Sequence, residues 1–304
     1  MVKNILKFIG GLVCVLAAVI AIQWGREALA RAQAESEWAA PKIQTVSDLG
    51  TTQSLQILPV FEEAAARPDL EPEHGVSYLI KTDTQSILMD AGMTPSRWQH
   101  NLKALGLSPS AFDTVFISHL HPDHLGGQDA WWANTIALGS PALDLSAYQV
   151  YVPKAVTRAG SRVAVATQPQ KIAQGVGTTG AIAFPELFPL SVRSPLNAEQ
   201  SLVIHVAGQG LVVIMGCGHP SVERIVARAQ AAFGEPIVGV VGGLHYEGFT
   251  AEQVQPHLDF VKSLNPKLVA VSPHDSSPAA LQAFRAALPS VYQDIRVGQS
   301  LIFN

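Results

Sequence analysis

With 304 residues, 48% of them hydrophobic and 14% charged, the chain has material for one large domain or two small ones with a real core, which excludes a disordered or solvated protein. A net charge of -4 at pH 7, without any basic block, removes the electrostatic footprint of a nucleic-acid-binding protein, so no nucleic-acid partner is expected. The two cysteines, Cys14 and Cys217, could pair only by joining an apolar N-terminal stretch to the domain body, an implausible disulfide that leaves the redox compartment open.

From Phe8 to Trp24 the sequence is uncharged, preceded by Lys3 and Lys7 and followed by Arg26, Glu27 and Arg31. These 17 residues are near the lower limit for crossing a bilayer, and Ile5 and Leu6 bring the run closer to the roughly 20 usually needed. The leading lysines favour a cytoplasmic N-terminus and an exported body. Ala28-Leu29-Ala30 has the small-x-small form read by signal peptidase, so a cleavable signal is the alternative. Residues 1–25 are therefore expected to be a membrane anchor or signal sequence, 26–44 a short helix or linker, and 45–304 the domain. The expected location is the inner (cytoplasmic) membrane with a periplasmic or extracellular domain, or secretion after cleavage.

Short apolar runs rich in β-branched residues then recur between Gly, Pro, Asp and Ser punctuation: Ser54 to Val60, Val76 to Lys81, Ser86 to Met89, Thr114 to Ser118, Ser201 to Val206, Leu211 to Met215, Ile237 to Val241 and Leu268 to Val271. Such runs predict buried strands. Helical spacing predicts helices over Pro95 to Leu105, Ser221 to Phe233, Thr250 to Leu264 and Ser277 to Leu288, with Ser221 as N-cap and Gly234 as terminator of the second. The mixture points to a layered α/β fold. Between Leu138 and Phe188 the pattern is weak and suggests loops or a lid.

The chemistry is concentrated in Phe112 to Gly127, F-D-T-V-F-I-S-H-L-H-P-D-H-L-G-G. His119 and His121, two apart at a strand end, project to one side and can converge on a single ion. Asp123 and His124 follow Pro122, where a turn can aim them at a second ion. Gly126 and Gly127 permit a tight turn straight afterwards.

This motif resembles the signature of the metallo-β-lactamase superfamily. Ser86 to Gly92, S-I-L-M-D-A-G, resembles the strand and aspartate that precede it there, which implies that Asp90 orients the histidine loop. Glu73-His74-Gly75-Val76-Ser77, Leu211 to His219, Val241 to His245 and Ser272-Pro273-His274 resemble one branch, which includes the dihydropterin ribofuranosyl-aminobenzene phosphate synthases. The likeness runs from about Thr45 to the C-terminus. It implies a four-layer αββα sandwich, the metallo-β-lactamase fold, and a binuclear site held by His119, His121, Asp123, His124, His219 and His274.

The sequence departs from the best-known members in one place. They have a Gly-His motif midway and a bridging aspartate later. Here the one histidine between His124 and His219 is His205, inside an apolar strand and read as structural, and Cys217 stands where the aspartate is expected. Its thiolate could bridge or bind one ion, or Cys217 is a buried core residue. His219 could supply the missing imidazole. His245 and His74 could be further ligands or substrate contacts, whereas His100 and His257 fall on helices and are read as solvated.

The expected cofactors are two divalent metal ions, zinc by ligand type, with manganese, iron or magnesium left open. A water on such an ion has its pKa lowered to about 7, which supplies hydroxide at neutral pH. Asp123 would bind one ion and hold the attacking water as base or orienter. The resemblance implies hydrolysis of a small-molecule ester, lactone, lactam or phosphoester. The alternatives are a synthase acting on a pterin-like phosphate, or a metal-binding domain without turnover. Trp131 and Trp132 would form an apolar wall over the site or pack in the core.

Overall fold

The computed structural model describes residues 2–39, 43–157, 160 and 162–303. The β-branched runs form strands whose alternate residues face a common core. β1 (Leu55–Phe61), β2 (Ser77–Thr82), β3 (Ser86–Met89), β4 (Thr114–Phe116), β5 (Gln149–Val152) and β6 (Val163–Val165) lie side by side in a seven-stranded sheet. Leu301–Phe303, at the chain's far end, closes the edge beside β1. After β7 (Gln170–Ala173) and β8 (Val176–Thr178), a two-stranded ribbon of β9 (Ile182–Pro185) and β10 (Leu196–Glu199) intervenes. β11 (Leu202–Val206), β12 (Gly210–Met215), β13 (Ile237–Gly242) and β14 (Leu268–Val271) then join β8 and β7 in a six-stranded sheet.

Leu55, Ile57, Tyr78, Ile80, Ile87 and Met89 of the first sheet share one buried cluster with Leu202, Ile204, Val212 and Ile214 of the second. Their period of two is the pleat itself, and it stacks the sheets face to face. Burying each large side chain there contributes roughly 1.5–3 kcal/mol.

The helices are α1 (Val2–Ala39), α2 (Pro95–Ala104), the single turn α3 (Pro122–Leu125), α4 (Gln128–Ala133), α5 (Val222–Phe233), α6 (Ala251–Ser263) and α7 (Pro278–Ala287). Beside the first sheet, α2 buries Trp98 and Leu102 against β1. Ser221 caps α5 by accepting from Arg224 N–H, and α5 buries Val222, Ile225, Val226 and Ala229 on one side. This is the αββα arrangement of the metallo-β-lactamase fold, with α1 preceding it.

Direction decides where function collects. β3 and β4 are parallel, and β1 runs the same way because both β1 and β3 are antiparallel to β2. β12, β13 and β14 are mutually parallel. The loops leaving the carboxyl ends of these six strands carry Glu63, Asp90, the His119–His124 motif, Cys217 with His219, His245 and His274. Ligand sites in α/β sheets collect at such ends.

The loop-rich expectation for Leu138 to Phe188 is corrected in part: the short strands β5 to β9 cross it, with loops between them. β6 and β7 lie at sheet edges with largely uncovered side chains, so they carry little of the apolar pattern that marks a strand.

α1 and residues 183–197 form a unit of their own. The helix does not stop where the apolar run ends, because Ala, Arg, Glu and Gln continue it to Ala39 with high helical propensity. Residues 40–42 of the expected linker lie outside the described residues. Lys7–Ala39 is long and apolar enough to cross a membrane, and Phe8, Leu12, Val15, Leu16 and Val19 are exposed on it.

Candidate metal centre

β4 ends at Phe116, two residues sooner than its sequence suggests, and the chain bends at Ser118 before His121, itself extended, leads into the one-turn helix α3. His121 is the N-cap and Pro122, with its preset φ, opens the turn. Asp123 and His124 therefore ride on one turn and are buried. Gly126 ends it with φ 89°, and a Cβ there would lie 1.9 Å from the Ala137 carbonyl oxygen, so no other residue fits without moving the chain.

Two groups of potential ligand atoms form around this turn. Those of Asp123, His124, Cys217 and His274 all lie within 4.8 Å of one another, and so do those of His119, Cys217 and His219. Cys217 belongs to both. His121 stands beside the second group, its ring 4.5 Å from that of His119 and 4.7 Å from that of His219. His74, Glu63 and His274 form a third group, of which His74 and Glu63 are exposed. His245 is exposed too, with its ring 4.5 Å from that of His219 and a left-handed φ of 54°. Its ring nitrogens belong to none of these groups.

Each main imidazole is held from behind. His124 Nδ1 lies 2.7 Å from Asp90 Oδ2. Asp90 also accepts from the Ser118 amide at 2.7 Å and the Ser118 hydroxyl at 2.7 Å. The same hydroxyl lies 2.9 Å from His119 Nδ1 and can accept its proton. His219 Nδ1 lies 2.9 Å from Glu199 Oε2, and Glu199 further accepts the amides of Gly218 and His219. His274 Nδ1 accepts from the Gly75 amide at 3.2 Å and lies 3.4 Å from Glu63 Oε1. On His119, His124 and His219 a proton fixed on Nδ1 leaves the Nε2 lone pair for a cation, which is how metal-binding histidines are oriented.

The site is also tied together by backbone. Gln200 donates from its amide to the Ser118 carbonyl and from its side chain to the Ile117 carbonyl, both at 2.8 Å. Gly216 must lack a side chain, since a Cβ would come within 2.2 Å of Ser118 Oγ. Under His274, the Ser272 hydroxyl donates to buried Glu62 and accepts the His274 amide.

Burial and the neighbouring imidazoles hold His119 well below the usual histidine range, hence neutral. Burial also disfavours charge on His124, yet Asp90 and Asp123 push it up to about 10. Burial works to raise Asp123, but His124 and His274 hold it well below the usual carboxylate range. Burial, with Asp275, Asp123 and Glu199 nearby, pushes the Cys217 thiol up. His274 Nε2 sits 2.9 Å from Asp123 Oδ2. A pocket that gathers carboxylate, thiol and imidazole lone pairs and draws protons onto its histidines has the field and the donor set for a divalent cation. The residues fit the expected metals.

Of the other histidines, His205 lies in β11 opposite Leu211, His100 Nε2 meets the Asp69 carbonyl at 2.9 Å, and His257 Nδ1 is 2.6 Å from Glu223. None belongs to a ligand group. Trp131 is buried and Trp132 exposed. Sequence reading missed Ser118, Glu199 and Glu63. A glutamate ending a buried strand, and Glu62-Glu63 straight after an apolar strand, are the signals that could have exposed the last two.

Residues 70–139 match the family model of the metallo-beta-lactamase superfamily. Over 84% of this chain and 99% of the relative, the sequence is 19% identical to the 7,8-dihydropterin-6-methyl-4-(beta-D-ribofuranosyl)-aminobenzene-5'-phosphate synthase of Methanocaldococcus jannaschii. Among solved structures, the chain resembles Tm1679, a metal-dependent hydrolase of the beta-lactamase superfamily, with TM-score 0.60 and 20% identity over 81% of this chain and 98% of the other. It also resembles the metallo-beta-lactamase fold protein YhfI of Bacillus subtilis, with TM-score 0.50 and 13% identity over 83% and 100%.

Proposed function

From the premise that this chain carries the metallo-β-lactamase fold and the superfamily's histidine-aspartate motif, we propose that it is a binuclear metal-dependent hydrolase of an ester, lactone, lactam or phosphoester. The observation that carries this reading is the pair of ligand groups sharing Cys217, with Asp90, Ser118, Glu199 and Glu63 behind the rings. His119, His121 and His219 would hold one ion; Asp123, His124 and His274 the other; Cys217 would contribute to both. Ions so held supply Lewis acidity to a substrate carbonyl or phosphoryl oxygen and lower the pKa of water.

The chain's own residues do the rest. Asp123, kept anionic, orients the attacking water and is too weak a base to keep its proton. The ring nitrogens are fixed before substrate arrives, so little reorganisation is needed at reaction. His119, His124, Cys217 and His274 are fully buried, whereas His74 and His245 are exposed. Substrate therefore approaches past His74 and His245, which are placed to contact it. By donor type the expected metal is zinc, since a thiol belonging to both ligand groups would favour zinc over magnesium.

A second reading, a synthase acting on a pterin-like phosphate, is supported by the methanogen relative. Exposed apolar residues along α1 support a membrane anchor with an exported domain, or a signal sequence. The test is metal-depleted and metal-restored protein assayed against lactone, lactam, ester and phosphodiester chromogens, and for condensation on pterin phosphates. Hydrolysis restored by zinc supports the first reading; condensation without hydrolysis supports the second.

A further inference from the structure

Residues 183–197, which include most of β9 and the start of β10, form one unit with α1. The segment reads A-F-P-E-L-F-P-L-S-V-R-S-P-L-N, and Leu187 to Val192 carry no charge. Glu186, on its near side, is buried and accepts from Asn197 at 2.7 Å. Leu187, Phe188 and Val192 are 60%, 71% and 49% exposed, an apolar tip of a kind rarely left in water. Its one hydroxyl is satisfied on α1: Gln23 donates to Ser191 Oγ at 2.6 Å, and Ser191 Oγ donates to Glu27 at 2.6 Å.

The depth of that attachment is informative. Gln23 and Glu27 bracket Trp24, the last residue of the uncharged run, and an anchor crossing the bilayer would place them at the headgroups, where indoles favour the interface. The groove lined by Phe188 and Val192 is shared with Leu16, Val19 and Ile20 on α1. At about 1.5 Å of rise per residue, Leu16 lies roughly 10 Å before Gln23, towards the middle of the run.

We propose that the 187–192 loop is a second membrane contact, inserting Leu187, Phe188 and Val192 beside α1 so that lipid acyl chains fill the groove between them. The occupant is lipid because the groove is continuous with the apolar face of a helix long enough to span, and the loop carries neither charge nor unmet polar side chain. The inference rests on the anchor reading of α1 and is independent of the metal chemistry.

The test uses the full chain in phosphatidylcholine–phosphatidylglycerol vesicles containing shallow nitroxide lipids. An environment-sensitive fluorophore is attached to Phe188→Cys, or separately to Val192→Cys, in a Cys14→Ser background, Cys217 being buried. Native Cys14, exposed on α1, is labelled in the unaltered chain to report the anchor, and Asp259→Cys serves as a body control. The expected result is a blue shift and loss of fluorescence by lipid quenching at 188 and 192, with none at 259. Quenching at 14 but not at 188 or 192 overturns the loop insertion and leaves the anchor standing. A blue shift at 188 without quenching assigns the groove to protein, a second copy included, and also overturns it. Absence of quenching at every position removes the anchor and the loop together.

Discussion

On one side of Cys217 stand His119, His121 and His219, with the Ser118 hydroxyl behind His119 and the Glu199 carboxylate behind His219; on the other stand Asp123, His124 and His274, with Asp90 and Glu63 behind them. The first half keeps His119 neutral through burial and neighbouring imidazoles. The second has enough negative charge to push His124 up to about 10 against its burial. The two groups thus differ in field: in the proposed binuclear site the first would select by ligand type and the second attract by charge. The shared thiol would couple them, since a cation on either side favours the thiolate that the other needs.

The largest effect should come from removing a ligand. His119→Ala in the first half or Asp123→Ala in the second should abolish turnover while circular dichroism stays native, and metal content should fall in both proteins. If His119→Ala retains full activity with full metal content, the two-half description is wrong.

Next in size is the residue between the halves. Cys217→Ala should weaken metal retention on both sides at once, read as metal-to-protein ratio after dialysis. Cys217→Asp should retain the ions but shift preference from zinc towards manganese, because a carboxylate is the harder ligand. A loss confined to one equivalent in Cys217→Ala would make the cysteine a terminal ligand and uncouple the halves.

Smaller still are the residues behind the rings. Glu199→Gln should weaken metal binding about 10–100-fold in the histidine half, and Asp90→Asn by a similar factor in the acidic half, each read by competition with a chromophoric chelator. Equal losses from both halves in each variant would erase the asymmetry. The smallest effect is expected at His205, paired opposite Leu211 in β11: His205→Ala should leave metal content unchanged and cost about 1 kcal/mol of stability.

What could be read from sequence follows the same division. Contiguous features were legible: the H-x-H-x-D-H run, the central strands with unbroken β-branched cores, and α5 with its serine cap and glycine stop. Asp90, His219 and His274 were reached through the family resemblance of the runs that hold them, and the structure brings all three to the neighbourhood of the His119–His124 turn. Edge strands β6 and β7 were not, since they bury little and need no apolar alternation. Ser118, Glu199 and Glu63 were missed for another reason: their importance lies in which ring nitrogen they meet across the fold, and no spacing along the chain encodes that. The apolar loop at Leu187–Val192 begins at the very end of the stretch read as loop or lid and runs past it, and its attachment to Gln23 and Glu27 joins residues 168 and 164 positions apart.

Metal analysis of the purified full chain tests the central claim most directly. Elemental quantification after exhaustive dialysis should find about two equivalents of divalent transition metal in the native protein, as two ligand groups require, and less in His119→Ala and Asp123→Ala. A native protein that leaves dialysis metal-free and takes up no zinc on titration would contradict it.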